Sequence, residues 1–354
     1  MNIYLKIVLL LAALTVQLPG FANEEKGEAA DNELRVLQFN TWSEGAVVEN
    51  GRQAIMTMLE TVNPDVVLFQ EVRGQQFIDE VIAYFKAKGI TYYGHSLNIS
   101  TAFLSKYPIQ SVRSSDELGA DSYAFVKAVV RIKDLDFAFY SMHLDWKHLA
   151  YYNLRGFDGH SDSRPYAVCE PEKDVKKLLA ESDLSRRAEE VKAVIEDAKK
   201  EISKGRSVIL GGDFNEPSFL DWQKNTRKMR SHNGLVVDWT CSMMLYKAGF
   251  KDCYRSVYPD AVTHPGFTCN AGNKAAKKED LCWATGVDDR ERIDLTYFYP
   301  DRCIKLVDAF IVGPKEDFWD GKIQYEATSD SFVTPDGVWA SDHKAVLTVY
   351  RLNE

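Results

Sequence analysis

Residues 207–215 read SVILGGDFN, a short apolar run that stops abruptly in two glycines, an aspartate and an asparagine. A run of this length before glycine predicts a β-strand that is buried on both faces of its sheet. Asp213 and Asn215 carry polar groups that are costly to bury without partners, so they predict a polar pocket where the strand ends. Just upstream, residues 182–204 space their apolar side chains as an amphipathic helix, which Gly205 ends.

The same alternation of buried strands and helices extends in both directions from this stretch. Further strands are predicted at residues 34–41, 65–70, 101–105, 292–299 and 345–352, a hairpin at residues 124–144, and helices at residues 52–62 and 77–88. Strands and helices in mixed order, joined by hairpins as well as crossovers, predict an α/β protein with mixed β-sheets. The length suits one large domain or two small ones, and no repeat or low-complexity linker divides the chain.

Polar side chains that can bind a metal or a phosphate lie at or near the ends of several predicted strands. They are Asn40, Glu71, His143, Asp213, Asn215, Asp294, Asp342 and His343. Each alone is also typical of an ordinary turn or a solvated strand end, but together they predict one pocket. Carboxylates, carboxamides and histidines without a nearby cysteine pair suit Mg²⁺, or Mn²⁺, better than Zn²⁺. The sequence has no GxGxxG, Walker, GxSxG or HExxH pattern that would support a competing chemistry.

The chain is acidic, with a formal net charge of −9 at pH 7. An acidic protein gains little from non-specific attraction to nucleic acid, although a local basic groove remains compatible with this charge. An excess of carboxylates also fits a site for a hard divalent cation.

The N-terminus resembles a signal peptide over residues 1–22. Lys6 forms the positive region, residues 7–16 form the apolar run, and residues 20–22 resemble a small-residue cleavage site. A membrane anchor is the alternative, but the run is too short to span a bilayer comfortably, and no later stretch is apolar for long enough. We therefore expect a secreted or periplasmic protein with no membrane segment after cleavage.

Six cysteines offer a second indication of the compartment. They are Cys169, Cys241, Cys253, Cys269, Cys282 and Cys303. Because an exported protein folds in an oxidising compartment, disulfides are expected, with a pairing that the sequence does not specify. A zinc cluster is the alternative, but the chain has no CxxC and no closely spaced Cys/His pair.

Residues 147–181 interrupt the regular pattern and are rich in tyrosine, arginine, glycine and aspartate. They closely follow His143 and are expected to form a long insertion loop near the pocket, since loops of that length are usually functional. Lys147 and Arg155 are the candidate substrate-binding residues, because their cations can hold a phosphate while neighbouring aromatic side chains stack on a ligand. The alternative is a structural flap held by Cys169.

Several motifs, in their order along the chain, resemble the endonuclease/exonuclease/phosphatase superfamily of DNase-I-like phosphoesterases. The most specific are GGDFN at residues 211–215 and SDH at residues 341–343, and the others are Gln70-Glu71, TAFLSKYP at residues 101–108 and Arg292-Ile293-Asp294. The extension of GGDFN to Trp222 resembles uncharacterised exported members. The resemblance implies a four-layered α/β/β/α sandwich, in which helices flank two mixed β-sheets. It also implies one catalytic domain over residues 23–354, which we expect to be a monomer.

The resemblance implies a metal site at three of the polar residues. Glu71 is the expected main ligand, with Asn40 beside it, and Asp342 binds a metal or braces the site. A carboxylate is the appropriate first ligand for Mg²⁺, and an amide can fill a neutral coordination position.

The other five polar residues match positions that act on the phosphate. Asp213 is expected to bind or orient the attacking water, and Asn215 to hold a phosphate oxygen. His343 is expected to contact the scissile phosphate, with Asp294 fixing its ring. His143 matches a position that assists proton transfer or stabilises the transition state.

The function implied is metal-dependent hydrolysis of a phosphate ester by in-line attack of water. The acidic charge favours a phosphatase or phosphodiesterase that acts on small or lipid-derived phosphate esters. A secreted nuclease that acts on DNA or RNA is the alternative within catalysis. A non-catalytic binding module with the same fold is a third hypothesis, against which the complete set of polar residues argues.

Overall fold

Strands and helices alternate along the chain much as the sequence predicts. The computed structural model describes residues 32–97, 99–121, 123–160 and 164–353, and residues 33–354 form one compact unit. The predicted signal peptide, residues 1–22, lies outside the described residues. Within the described ranges, no helix is both long enough and apolar enough to cross a membrane.

Most of the predicted segments agree with strands or helices of the structure to within a few residues. The strands are β1 (Glu33–Asn40), β2 (Val66–Gln70), β3 (Tyr93–His95), β4 (Thr101–Ser105), β5 (Ile109–Ser114), β6 (Phe125–Ile132), β7 (Leu135–His143), β8 (Ser207–Asp213), β9 (Lys251–Asp252), β10 (Asp294–Phe298), β11 (Ile304–Val312), β12 (Asp317–Trp319), β13 (Lys322–Gln324), β14 (Phe332–Val333) and β15 (Ala345–Leu352). The helices are α1 (Gly51–Val62), α2 (Gln75–Lys86), α3 (Ala150–Asn153), α4 (Val175–Ser182), α5 (Arg187–Ser203), α6 (Thr240–Lys247), α7 (Cys253–Val257) and α8 (Lys278–Leu281).

Two large β-sheets contain most of the strands. The first has the order β14-β11-β15-β1-β2-β4-β3, and the second has the order β5-β6-β7-β8-β10-β9. In the first sheet β1 is parallel to β2 and antiparallel to β15. In the second sheet β7 is parallel to β8 and antiparallel to β6. Both sheets are therefore mixed, as predicted.

Three hydrophobic clusters lie between four layers of secondary structure. One cluster joins the first sheet to α1 and α2 through residues such as Ile55 and Phe69. Another joins the second sheet to α5 through residues such as Val194 and Leu210. The third fills the space between the two sheets, where Phe139 is one of the buried side chains. The predicted α/β/β/α sandwich is confirmed.

Strand periodicity decides which side chains meet between the sheets. In β1, Val36 lies in the cluster between the sheets, whereas Leu37 lies in the cluster on the helical side. Since side chains alternate along a strand, Asn40 at the end of β1 points toward the second sheet. In β8, Ile209 lies in the same inter-sheet cluster, so Asp213 points back toward the first sheet. The inter-sheet layer is thus apolar along its length and polar at this end.

The two glycines before Asp213 allow close packing at this end of β8. A β-carbon on Gly212 would lie 1.8 Å from the backbone oxygen of Met142 on the neighbouring strand. A β-carbon on Gly211 would lie 3.2 Å from a methyl group of Leu68 on the facing sheet. A side chain at either position would therefore displace Asp213 from the residues that it contacts across the sheets.

The predicted helix at residues 182–204 is wrong at its N-terminal end. It begins at Arg187, and residues 175–182 form the separate helix α4. Leu184, which was expected on the buried stripe, lies between the two helices and is 65% exposed. The spacing of apolar residues did not distinguish one long helix from two helices separated by a turn.

The insertion at residues 147–181 is not a loop without regular structure. It contains α3 and α4, and its apolar side chains form a separate cluster with Trp222 and Trp239. This segment folds because it buries its own tyrosines and leucines against later parts of the chain. Aromatic residues can bind ligands, but in this segment they mainly pack against one another. Their abundance therefore misled the prediction of a functional loop.

The expected disulfides are absent from the structure, because all six cysteines are free thiols. Cys241 and Cys253 are buried on separate helices, Cys269 is buried outside the named strands and helices, and Cys169 is exposed. Burial raises the pKa of the Cys253 thiol to about 12, so this side chain behaves as a small apolar group.

Candidate active site

Asp213, at the end of β8, lies at the centre of polar side chains contributed by both sheets. Its Oδ2 accepts a hydrogen bond from Asn40 Nδ2 at 3.0 Å. The same oxygen lies 3.9 Å from His143 Nε2 and 3.7 Å from His343 Nε2. Its Oδ1 accepts the backbone N–H of Asn215 at 2.9 Å. The carboxylate is therefore fixed in place, with one oxygen between two imidazole rings.

His343 and Asp294 form a buried pair beside Asp213. Nδ1 of His343 lies 2.8 Å from Oδ2 of Asp294, whose other oxygen accepts a hydrogen bond from Gln38 Nε2 at 2.7 Å. Burial opposes a charge on His343, but the negative charges of Asp294 and Asp213 outweigh it and raise the pKa of the ring well above its ordinary value. These charges favour the protonated ring, whose Nε2 lies 3.7 Å from Asp213 Oδ2 and 3.9 Å from Asp342 Oδ1.

Asp213, Asp294 and His343 each bring one polar atom within 4.8 Å of the others, which is close enough to share a metal ion. Nδ1 of His343 is already bonded to Asp294, however, and its Nε2 lies 3.7 Å from Asp213 Oδ2. We therefore interpret this group as a charge pair that faces Asp213, and not as the metal site.

Glu71 follows β2 and is held by contacts with the end of β1. Its Oε1 accepts a hydrogen bond from Asn40 Nδ2 at 3.2 Å, and its Oε2 accepts the backbone N–H of Ser43 at 2.9 Å. The backbone of Glu71 has a φ of 56°, in the left-handed region. This conformation costs roughly 1–2 kcal/mol for a residue with a β-carbon, and such strain is often found at functional sites.

Asp342 is a carboxylate that its surroundings leave incompletely paired. Its Oδ1 is buried and has no hydrogen-bond partner among the described residues. Burial raises the pKa of Asp342 to about 7; the charge of His343 opposes this shift, and that of Glu71 adds to it. Two mutually repelling carboxylates at one pocket fit a divalent cation, which would neutralise both. The metal predicted from the sequence therefore fits the residues present.

His143 and Asn215 approach Asp213 from the second sheet. Nδ1 of His143 lies 2.8 Å from Ser100 Oγ, which leaves Nε2 directed toward Asp213. Asn215 donates one N–H of its amide to the backbone oxygen of Leu144 at 2.9 Å. Its φ of 49° is left-handed, a conformation that asparagine adopts more readily than most residues. The second N–H and the oxygen of its amide remain for a ligand.

Six of the eight predicted catalytic and metal-binding residues line one open cavity of about 300 Å³. They are Glu71, His143, Asp213, Asn215, Asp342 and His343, and the lining is completed by Trp146, Arg164 and Trp283. The other two, Asn40 and Asp294, are fully buried and hydrogen-bonded to lining residues. The structure therefore brings together residues separated by up to three hundred positions in the chain.

The two predicted substrate-binding residues do not belong to this lining in the described part of the chain. The guanidinium of Arg155 is buried, donates to Glu291 Oε1 at 2.6 Å and also donates to the backbone oxygens of Tyr151 and Arg230. It therefore has no face available for a phosphate. Lys147 is exposed and places its Nζ 5.7 Å from the centre of the Trp146 ring.

Two residues that support the site are not among the predicted ones. Gln38 bridges the two sheets by donating to Asp294 and to Gln70 Oε1. The sequence does contain a feature that identifies Gln38. It is a polar residue inside a buried strand, two positions before Asn40 and hence on the same face of the sheet. Ser100, the partner of His143, lies in a loop and has no comparable signal.

The chain belongs to the Endonuclease/Exonuclease/phosphatase family, whose model matches residues 37–343. This assignment confirms the resemblance seen in the sequence motifs. Members of the family hydrolyse phosphate esters, so the chain has a phosphoesterase fold. A protein of Caenorhabditis elegans named uncharacterized protein F14F9.5 is 28% identical over 277 residues, which cover 76% of this chain and 80% of that protein.

Two solved structures share the fold at low sequence identity. The crystal structure of D. rerio TDP2 complexed with single strand DNA product is 13% identical, with a TM-score of 0.51 over 90% of this chain and 99% of that one. The human Nocturnin catalytic domain with bound sulfate anion is 11% identical, with a TM-score of 0.50 over 91% of this chain and 95% of that one. At these identities the likeness establishes the architecture alone.

Proposed function

We propose that the protein is a metal-dependent hydrolase of phosphate esters that uses water as the nucleophile. The position of Asp213 carries the proposal, because its Oδ2 lies 3.9 Å and 3.7 Å from the Nε2 atoms of His143 and His343 in the wall of an open cavity. A carboxylate placed in this way can orient a water molecule while the imidazoles face the negative phosphoryl group.

Glu71, Asp342 and Asn40 would hold the metal, with Mg²⁺ or Mn²⁺ as the ion. Glu71 and Asp342 offer carboxylate oxygens, which these hard cations prefer. Asn40 offers its amide oxygen, which also accepts the backbone N–H of Trp42 at 3.0 Å. The Oδ1 of Asp342 supports this assignment, because it accepts no hydrogen bond from the described residues. When bound, the ion neutralises negative charge that develops on the ester as its bond to the leaving group breaks.

Residues of the protein would carry out the remaining steps of the reaction. Asp213 accepts a proton from the attacking water, whose oxygen bonds to phosphorus in line with the leaving group. His343, kept charged by Asp294, attracts a phosphate oxygen, and Asn215 donates to another. His143 gives a proton to the oxygen of the leaving group, so that no covalent enzyme intermediate is needed.

The proposed substrates are small or lipid-derived phosphate esters. The net charge of −9 supports this choice, since an acidic protein has little general attraction for long nucleic acid. Export to a secreted or periplasmic location is also part of the proposal, on the pattern of residues 1–22. Fractionation of expressing cells tests it, and full-length protein retained inside the cytoplasm would contradict export.

Hydrolysis of bis(p-nitrophenyl) phosphate by the purified protein tests the proposed reaction. Activity should require Mg²⁺ or Mn²⁺ and be lost in EDTA, and reaction in ¹⁸O-water should place one labelled oxygen on the phosphate product. Asp213→Asn should reduce kcat by at least about 100-fold, whereas Asp197→Asn, a buried aspartate paired with Lys127, should not. A phosphorylated enzyme trapped during turnover would contradict direct attack by water.

A nuclease is the second candidate function. It is favoured by the fold relative D. rerio TDP2, whose structure contains a single strand DNA product. Efficient nicking of plasmid DNA at physiological salt would establish this candidate over the first. A non-catalytic binding module would instead predict that Glu71→Gln and His343→Ala leave any measured hydrolysis unchanged.

A further inference from the structure

One part of the cavity wall is aromatic and cationic, in contrast to the carboxylates and histidines of the rest. Trp146, Arg164 and Trp283 line the cavity together with the proposed phosphate-binding residues. A smaller recess of about 50 Å³ adjoins the cavity and shares Trp146 and Trp283 with it. Asn215 and His343 also line both spaces. The aromatic wall therefore begins where the phosphate is proposed to bind.

Trp283 is held in position by contacts on more than one side. The guanidinium carbon of Arg164 lies 3.4 Å from the centre of its ring, and Arg164 itself donates to the backbone oxygen of Asp280 at 2.6 Å. The ring of Tyr166 lies 5.2 Å away at 34°, and the backbone N–H of Tyr166 donates to the Trp283 oxygen at 2.7 Å. Because these contacts exist before any ligand binds, little conformational entropy is lost when a ligand packs against this group.

Trp146 supplies an aromatic surface that the described residues leave about half exposed. It lines the cavity, yet it is 48% exposed to solvent. A large apolar ring at the mouth of a pocket is often part of a binding site, since a ligand that covers it removes apolar area from water. A planar ring is the best match, because aromatic rings stack on one another and on guanidinium groups.

We propose that Trp146, Arg164 and Trp283 form a subsite for a planar aromatic group that is joined through oxygen to the phosphate. The inference rests on the proposed function, because that function places the phosphate at Asn215 and His343. The aromatic group is a nucleobase carried by a nucleoside or a simple aryl ring. A fatty chain fits less well, since the recess is small and has polar residues at its edge. A long nucleic acid is disfavoured by the net charge of −9.

Binding measurements with non-hydrolysable ligands test the subsite without requiring turnover. Phenylphosphonate and cyclohexylphosphonate have the same phosphorus group and similar size, but only the first is planar. In the presence of Mg²⁺, calorimetry of the full chain should give phenylphosphonate a Kd about 2- to 13-fold lower, the range expected from an aromatic pair beyond the apolar area that both ligands bury. In Asp213→Asn, the variant expected to have lost most hydrolysis, adenosine 5′-monophosphate should bind more tightly than ribose 5-phosphate if the natural ring is a nucleobase, and the two should bind equally if it is a simple aryl group.

Two variants connect this advantage to the proposed residues. Trp146→Ala, at a position that is 48% exposed, and Arg164→Gln should each reduce the preference for the planar ligand by at least about half. Tyr325→Ala is the matched control, because Tyr325 is 60% exposed and does not line the cavity; its preference should match that of the wild type. Equal affinity of the wild type for both phosphonates, or an unchanged preference in Trp146→Ala, would overturn the subsite.

The subsite and the proposed function can fail separately. Hydrolysis of aryl and alkyl esters with equal kcat/KM, together with equal affinity for the two phosphonates, would remove the subsite and leave the reaction. Preferential binding of phenylphosphonate without hydrolysis of any phosphate ester would keep the aromatic subsite and remove the reaction.

Discussion

Replacing Asp294 by asparagine isolates the contribution of the buried charge behind His343. The substitution keeps the shape of the side chain, and its oxygen can still accept the hydrogen bond from Gln38. Its amide would then donate to Nδ1 of His343, so the ring must accept there and becomes neutral. Without the carboxylate, burial dominates and lowers the pKa of His343 from its raised value.

The size of the effect follows from the 2.8 Å contact between Asp294 and His343. A hydrogen bond to a charged group contributes about 1.5–3 kcal/mol, so its loss should reduce kcat/KM roughly 10- to 150-fold. The assay is hydrolysis of bis(p-nitrophenyl) phosphate with saturating Mg²⁺ from pH 5 to 9. The deficit should be largest at high pH, where the ring of the variant is unprotonated, and smaller at low pH, where that ring regains its proton.

Asp197→Asn is the control, because it removes a buried negative charge of α5 that pairs with Lys127 at 2.6 Å, outside the cavity. It should lower stability without changing the pH profile of kcat/KM. If folded Asp294→Asn keeps kcat/KM within threefold of the wild type over the whole pH range, the charge on His343 does not contribute to the reaction.

Four further outcomes are expected. Dialysis against EDTA should abolish hydrolysis, and Mg²⁺ should restore it, because the paired carboxylates of the cavity need a cation. Gly212→Ala should destabilise the fold by about 2 kcal/mol or more, since its β-carbon would lie 1.8 Å from a backbone oxygen, whereas Gly211→Ala should cost less. Arg155→Met should lower the free energy of unfolding by roughly 3–5 kcal/mol by leaving Glu291 buried and unpaired. Glu190→Gln should be more stable than the wild type by about 3 kcal/mol at pH 8 and equal to it near pH 4.

The sign for Glu190 follows from its environment. Burial raises the pKa of this carboxyl to about 7, so ionisation costs stability in the folded state as the pH rises from the ordinary value of 4.5 through 7. Urea denaturation at several pH values measures the stability difference between Glu190→Gln and the wild type. A difference that does not change with pH would contradict the prediction.

For Arg155, recovery of stability in the double variant with Glu291→Gln is the control. A raised KM with unchanged stability would instead make Arg155 a substrate ligand.

Hydrolysis that persists after dialysis against EDTA would contradict a catalytic role for a metal cation.

Differential scanning calorimetry compares Gly211→Ala and Gly212→Ala directly. Equal melting temperatures for the two variants would show that contact with the neighbouring strand does not restrict the size of the side chain at position 212.

The pattern of residues along the chain determined the alternating strands and helices, the mixed sheets and the polar strand ends at Asn40, Asp213 and Asp294. These are local properties, since apolar runs, glycines and side-chain alternation are visible within a few residues. The motifs also specified the family. The sequence therefore predicts which residues lie at the ends of buried strands and which chemistry these residues suit.

Only the tertiary structure decided what each polar side chain contacts. Arg155 and Arg164 have the same chemistry and lie in the same segment, yet one is buried against Glu291 and the other lies over Trp283 at the cavity. Their difference depends on residues more than one hundred positions away, and sequence spacing does not encode those distances. The packing of α3 and α4 against Trp222 and Trp239 has the same origin, as has the Asp342 oxygen that accepts no hydrogen bond from the described residues. Each depends on contacts between distant parts of the chain.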